Sequence, residues 1–138
     1  MKGGVGKTTL ALNVADCLAR KHDKKVVVID VDPQFNITQC LFTGNEYVAL
    51  LKSGADTVLN IFDTDLRPIA SVVGGAAITE PQELRDIKLQ KKDMLWTLPG
   101  NIDLYRLEMT NGEGREFSIQ RLIEENLEPA GFDYAIID

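Results

Sequence analysis

Lys2-Gly3-Gly4-Val5-Gly6-Lys7-Thr8-Thr9 packs three glycines, two lysines and two hydroxyls into eight residues, and an apolar helical pattern opens directly behind it. The stretch reads as a phosphate cradle. The general P-loop pattern runs Gly, four residues, Gly, Lys, then Ser or Thr, and Gly6-Lys7-Thr8 supplies its end. The first glycine of that pattern would fall at position 1, where Met1 stands. Gly3, Gly4 and Gly6 still leave a backbone free to take positive φ and to approach a phosphate closely. Lys2 adds a second cation at the mouth of the loop.

Beyond the cradle, Leu10, Ala11, Val14, Ala15, Leu18 and Ala19 recur at spacings of three and four, which predicts one helix with a continuous apolar face ending near Lys21. Its first backbone N–H groups have no partner inside the helix. The helix dipole places roughly half a positive charge there, so a bound phosphate answers both. Residues 25–33, Lys-Val-Val-Val-Ile-Asp-Val-Asp-Pro, are β-branched without alternation, the pattern of a parallel strand covered on both faces. Ligands of open α/β sheets bind at the carboxyl ends of strands, so Asp30 and Asp32 are expected at the same edge as the cradle. Pro33 stops strand pairing, which puts Asp32 on the turn leading away. A plain turn or cap role for these aspartates stays open at this point.

Residues 34–38 read as a polar loop, and Ile37, Leu41 and Phe42 as a short helix ended by Thr43-Gly44-Asn45. Residues 47–52 and 57–62 each read as one or two helical turns, with Asp56 or Thr57 capping the second. Pro68 interrupts 66–73, and Gly74-Gly75-Ala76-Ala77 with Glu80-Pro81 is loop-like. The charged stretch 83–92 reads as exposed surface without chemistry. Residues 94–98 predict a second strand, stopped by Pro99-Gly100-Asn101; residues 102–109 fit either a strand or a helical turn, and 110–114 a flexible connection. An amphipathic helix from about Ser118 carries Ile119, Leu122, Ile123 and Leu127 and closes at Pro129 and Gly131. Residues 132–138 read as a third buried parallel strand, again ending in an aspartate, Asp138. Alternation of strand and helix indicates a three-layer α/β fold.

A length of 138 residues suits one domain with a core that needs no disulfide or metal. No apolar run approaches the roughly 20 residues of a membrane helix. With the cradle at the very start of the chain, no leader is expected, and a cytoplasmic setting follows. Cys17, on the side of the first helix taken as buried, and Cys40 read as small core residues, and His22 as a solvated turn residue. The net charge is −6, yet residues 1–30 carry six Lys or Arg against three Asp, a balance of +3 that leaves −9 for the remainder. Two of those cations belong to the cradle and four look like a solvated helix end, so no basic face suited to duplex DNA is visible.

With the two-lysine cradle, Val31-Asp32-Pro33-Gln34 followed by Asn36 and Thr38, and the apolar strand ending in Asp138, the sequence resembles the ParA family of partition ATPases. That family belongs to the deviant Walker A group, which also contains MinD and nitrogenase iron protein. The Asp-Pro-Gln turn looks like the ParA/Soj branch, and two scattered cysteines do not supply the cluster ligands of the iron protein. The resemblance covers most of the chain and implies a P-loop NTPase fold, three-layer with a mostly parallel sheet, of which residues 1–138 are a partial domain from cradle to Walker B strand. It implies ATP and Mg²⁺ as cofactors, with Gly3, Gly4, Val5, Gly6, Lys7, Thr8 and Thr9 around the nucleotide. Lys7 would contact the β and γ phosphates, Thr9 would lie near the α phosphate, and Thr8, Asp30 and Asp138 would hold the metal. Asp32 would orient the attacking water, and Lys2 would reach the nucleotide of a second subunit, so that ATP acts as a dimerisation switch.

The same resemblance implies a strand before the cradle and a DNA-binding part after Asp138, so the chain is expected to be a fragment or truncated product. It also implies a nucleoid-associated homodimer that meets non-specific DNA and a ParB-type activator, with no membrane. Two other readings accompany it: a small-molecule ligase or kinase on the same fold, similar to dethiobiotin synthetase, and an inactive nucleotide-binding remnant.

Overall fold

The computed structural model describes residues 6–62, 83–108 and 117–138. Lys2, Gly3, Gly4 and Val5, together with the expectations for 66–81 and 110–114, lie outside those residues. Helix α1 (Lys7–His22) leads to strand β1 (Val26–Ile29), then α2 (Asn36–Leu41), α3 (Gly44–Lys52) and α4 (Leu59–Phe62). A 3-10 turn at Leu84–Asp86 precedes β2 (Gln90–Lys92), β3 (Leu95–Leu98) and α5 (Leu104–Glu108). Finally, α6 (Ser118–Leu122) runs into a π turn at Ile123–Leu127, and β4 (Tyr134–Ile137) follows. The sheet order is β2-β3-β1-β4, with β1 parallel to both β3 and β4 and only β2 antiparallel. This is the expected mostly parallel sheet between helical layers.

All four residues of β1 are buried, and they divide between two cores. Val26 and Val28 pack with Ala15 and Ala19 of α1, Ile37 and Leu95. On the other face, Val27 and Ile29 pack with Leu98, Val58, Ile61 and Leu122. Coverage on both faces explains the lack of alternation in this strand, and each fully buried Val or Ile stabilises the fold by roughly 1.5–3 kcal/mol.

Several expectations are corrected. The apolar face of α1 is not buried throughout: Leu10 is 65% and Val14 40% exposed, because the helix meets the sheet along Ala15 and Ala19, with Ala11 partly buried beside them. Leu10 and Val14 each precede that stripe by one residue, about 100° round the helix. Thr43-Gly44-Asn45 starts α3 instead of ending α2. The Thr43 hydroxyl accepts from the Glu46 N–H at 3.3 Å, and the Glu46 carboxylate accepts from the Thr43 N–H at 2.7 Å, a reciprocal capping box.

The charged stretch 83–92 is not mere surface, since Leu84 and Ile87 enter the core and Gln90–Lys92 pairs with β3. Polar side chains suit this strand because it is the edge of the sheet, where lysines discourage further pairing. β4 is parallel to β1 as expected but not fully buried. Among the described residues it pairs on one side only, and Tyr134 and Ile137 are each 45% exposed. Cys40 is exposed and Cys17 only half-buried, so neither is a core residue; both thiols are free.

Candidate nucleotide site

Gly6 holds φ 76° and ψ 13° at the start of α1, a left-handed conformation that a side chain would strain. No side chain caps α1 among the described residues, and the first bond inside the helix runs from the Leu10 N–H to the Gly6 carbonyl at 2.9 Å. The N–H groups of the first turn are therefore left for another acceptor. Lys7 and Thr9 are exposed and Thr8 is half-buried. α1 spans 16 residues, about 24 Å, and returns to β1 through residues 23–25, so its N-terminus lies at the end of the sheet where β1 and β4 finish.

Strand parity decides which carboxylates face that helix. In β1, Val26 and Val28 lie on the α1 side, and Asp30 continues the even series. In β4, Ile136 packs into the same core, and Asp138 follows it by two. The strands are in register, Ile29 against Ile137, and the ladder extends through Val31 N–H to the Asp138 carbonyl at 3.0 Å and Asp138 N–H to the Ile29 carbonyl at 3.1 Å. Asp30 and Asp138 are thus brought together at one corner of the α1 face. Asp32 is near enough to add to the charge around Asp30, but it lies on the turn: its Oδ1 accepts from the Gln34 N–H at 2.9 Å and its carbonyl from the Phe35 N–H at 2.7 Å, a tight turn of the kind Pro33 implied.

Asp30 is fully buried. Its Oδ2 accepts twice from Thr38, from the backbone N–H at 2.8 Å and the hydroxyl at 2.6 Å. Burial pushes the carboxyl above the ordinary aspartate range, the two bonds from Thr38 draw it back, and the nearby Asp138 and Asp32 push it up again. Among the described residues, Asp30 Oδ1 and Asp138 Oδ2 are both buried without a hydrogen-bond partner. Buried, unpartnered carboxylate oxygens are costly, and two of them on one face fit a hard cation. Mg²⁺ in particular is held by one or two carboxylates together with water and substrate phosphate, so the residues present fit that ion.

Thr38, Gly100 and Tyr47 were not assigned to the site from sequence. The Gly100 N–H donates to the Thr38 hydroxyl at 2.8 Å, and the Tyr47 hydroxyl donates to the Gly100 carbonyl at 2.9 Å. Pro99-Gly100-Asn101 carried only a turn signal, and nothing in the sequence pairs Tyr47 with a residue 53 positions on.

The family described as AAA domain (AAA_31) matches residues 1–138, the whole chain. Chromosome partitioning protein ParA of Myxococcus xanthus (strain DK1622) is 33% identical over 147 residues, covering 99% of this chain and 41% of that protein. The chain belongs to this AAA domain family, in the ParA group. A second relative is the sporulation initiation inhibitor protein Soj of Bacillus subtilis (strain 168), 31% identical over 139 residues that cover 99% of this chain and 46% of Soj. Among solved structures, cobyrinic acid a,c-diamide synthase from Mycobacterium smegmatis, with bound ATP analog and magnesium, is 27% identical with a TM-score of 0.64, over 99% of this chain and 47% of that one. The ParA-group chain described here therefore spans less than half the length of each of these proteins. Among the described residues, no helix is long and apolar enough to cross a membrane.

Proposed function

We propose that this chain is the nucleotide-binding part of a Mg²⁺-dependent ATPase that uses ATP to pair two subunits during plasmid or chromosome partitioning. The observation that carries the reading is the pair of buried, unpartnered oxygens of Asp30 and Asp138 on the sheet face under α1. Mg-ATP supplies a transferable phosphoryl group whose developing charge must be neutralised. Around it, the first-turn N–H groups of α1 and Lys7 bind phosphate oxygens, Thr9 lies at the α phosphate, and Thr8, Asp30 and Asp138 hold the metal. Gly3, Gly4, Val5 and Gly6 form the wall of the cradle, and Asp32 orients the attacking water. Lys2 supplies a cation to the nucleotide of a second subunit, so that pairing depends on the γ phosphate.

Kinship with a chromosome partitioning protein supports a cytoplasmic, nucleoid-associated homodimer, with a ParB-type activator and non-specific DNA as partners. DNA contact falls to a part of the protein beyond Asp138, since these 138 residues carry a net charge of −6. The likeness to the diamide synthase favours a second reading, a small-molecule ligase on the same fold. The two differ in what Lys2 does: a ligase needs a substrate pocket and gains nothing from a cation offered across a dimer. Sedimentation of the intact protein with Mg²⁺ and a non-hydrolysable ATP analogue tests the choice. A nucleotide-dependent dimer supports the switch, and tight nucleotide binding by an unchanged monomer refutes it.

A further inference from the structure

We infer that Thr38 is a positioning residue that fixes the orientation of Asp30 and ties the turn over residues 32–35 to the loop after β3, making the two segments one unit at the proposed metal site. The inference rests on the proposed role of Asp30. Thr38 is 1% exposed and sits in the first turn of α2, a helix whose N-cap, Phe35, has no side chain able to cap it. Asp30, eight residues earlier on a different element, takes that place by accepting the Thr38 N–H. The Thr38 hydroxyl spends its single proton on the same oxygen and accepts the Gly100 N–H with a lone pair. Among the described residues, the side-chain hydrogen bonding of Asp30 is therefore gathered on Oδ2, which leaves Oδ1 as the unpartnered atom.

The far side of the loop is tied to the same turn. Tyr47 donates to the Gly100 carbonyl and stacks on Phe35, with ring centroids 5.6 Å apart and planes 19° off parallel. Phe35 holds a positive φ of 41°, and a Cβ at Gly100 would lie 2.5 Å from the Phe35 Cβ and 3.1 Å from Asp30 Oδ2. Loop and turn are in contact through atoms that cannot swing aside, so a shift of either moves the Asp30 carboxylate.

The test uses the intact protein, a fluorescent ADP analogue and Mg²⁺, with the nucleotide affinity followed as a function of Mg²⁺ concentration. Asp30→Asn, Thr38→Val, Thr38→Ser and Tyr47→Phe are compared, and amide hydrogen exchange at Gly100 is measured without nucleotide. Thr38→Val is expected to raise the half-saturating Mg²⁺ concentration ~10-fold and to speed exchange at Gly100, while Thr38→Ser stays within about twofold of wild type on both. Tyr47→Phe, which keeps the stacked ring, is expected to raise the Mg²⁺ requirement severalfold with the fold intact. If Asp30→Asn leaves the Mg²⁺ dependence unchanged, the role of Asp30 fails and this inference with it. If Asp30→Asn shifts it and Thr38→Val does not, Thr38 is merely structural and the inference alone is overturned. Should Thr38→Val fail to fold, Tyr47→Phe decides: an unchanged Mg²⁺ requirement overturns the coupling.

Discussion

Asp30 and Asp138 are each the residue after a paired couple, Ile29 against Ile137, on adjacent parallel strands, and both continue the even-numbered series that faces α1. Asp30 is fully buried with the half-buried Asp138 beside it, and burial together with the charge of that neighbour makes its carboxylate oppose folding. A protein keeps such an arrangement where a cation or its ligands repay the cost on binding, which is why the pair outweighs any single motif residue in the functional reading.

Asp30→Asn separates stability from function. Because burial raises this carboxyl, the folded state holds its proton above the ordinary aspartate value of 3.8, and stability falls as pH rises through the folded value. An amide is neutral throughout and can still accept both bonds from Thr38. The nucleotide-free variant is expected to melt at or above the wild-type temperature at pH 7, while Mg²⁺-dependent nucleotide affinity drops ~10-fold or more. Paired thermal melts with and without Mg²⁺ and ATP analogue check it, and a variant stabilised by the analogue as strongly as wild type would exclude Asp30 from the metal site.

Lys7→Ala removes an exposed side chain and costs the fold little, but it deletes charge-assisted hydrogen bonds of roughly 1.5–3 kcal/mol each at the phosphates. Calorimetric titration is expected to show a loss of ATP affinity of tenfold or more with an unchanged melting temperature. Unchanged affinity refutes the cradle.

Gly100→Ala tests the contact between the loop after β3 and the turn over residues 32–35. The added Cβ meets the Phe35 Cβ at 2.5 Å, an atom fixed to the backbone, so the chain must shift. Overpacking of this kind costs about 1–3 kcal/mol. Urea unfolding is expected to show that loss, whereas Gly54→Ala, with open space around it but a φ of 73°, registers only backbone strain.

Glu46 is drawn down to about 2, first by the hydrogen bond from Lys92 Nζ and then by the Thr43 N–H and hydroxyl. A carboxylate with a lowered folded value contributes stability above its ordinary value of 4.5 and loses it as pH falls toward about 2. The melting temperature of wild type is expected to decline across that window more steeply than that of Glu46→Gln. Since the pair is exposed, 1 M salt should shrink the difference, and identical pH profiles for the two proteins refute the linkage.

Asp32→Ala and Lys2→Ala divide the switch into hydrolysis and pairing. Asp32→Ala is expected to bind ATP and remain dimeric, and normal turnover by phosphate release removes Asp32 from the mechanism. Lys2→Ala is expected to bind nucleotide as a monomer and to fail in ATP-dependent dimerisation by light scattering; normal dimerisation contradicts the role across subunits.

Much of this was legible in one dimension because local patterns carry it. The cradle needs adjacent glycines, the helix behind it a 3.6-residue period, and β1 an unbroken β-branched run, and each of these is written in consecutive residues. Both strand ends announced their aspartates. Thr43 and Glu46 were equally local, three residues apart, and the capping box they form could have been read. β2 could not, since three polar residues become a strand only when Leu95–Leu98 offers them an edge.

From the sequence alone came the phosphate loop, the two acidic strand ends and the ParA resemblance, because these depend on residue type and short spacing. Tertiary structure alone decided that Asp30 and Asp138 share a face while Asp32 turns back on its own backbone, that Leu10 and Val14 stay outside the core, and that Thr38, Tyr47 and Gly100 hold the first carboxylate. Those relationships follow from strand register, helix placement and contacts between residues as far apart as Ile29 and Asp138, and register and packing are fixed only when distant segments meet.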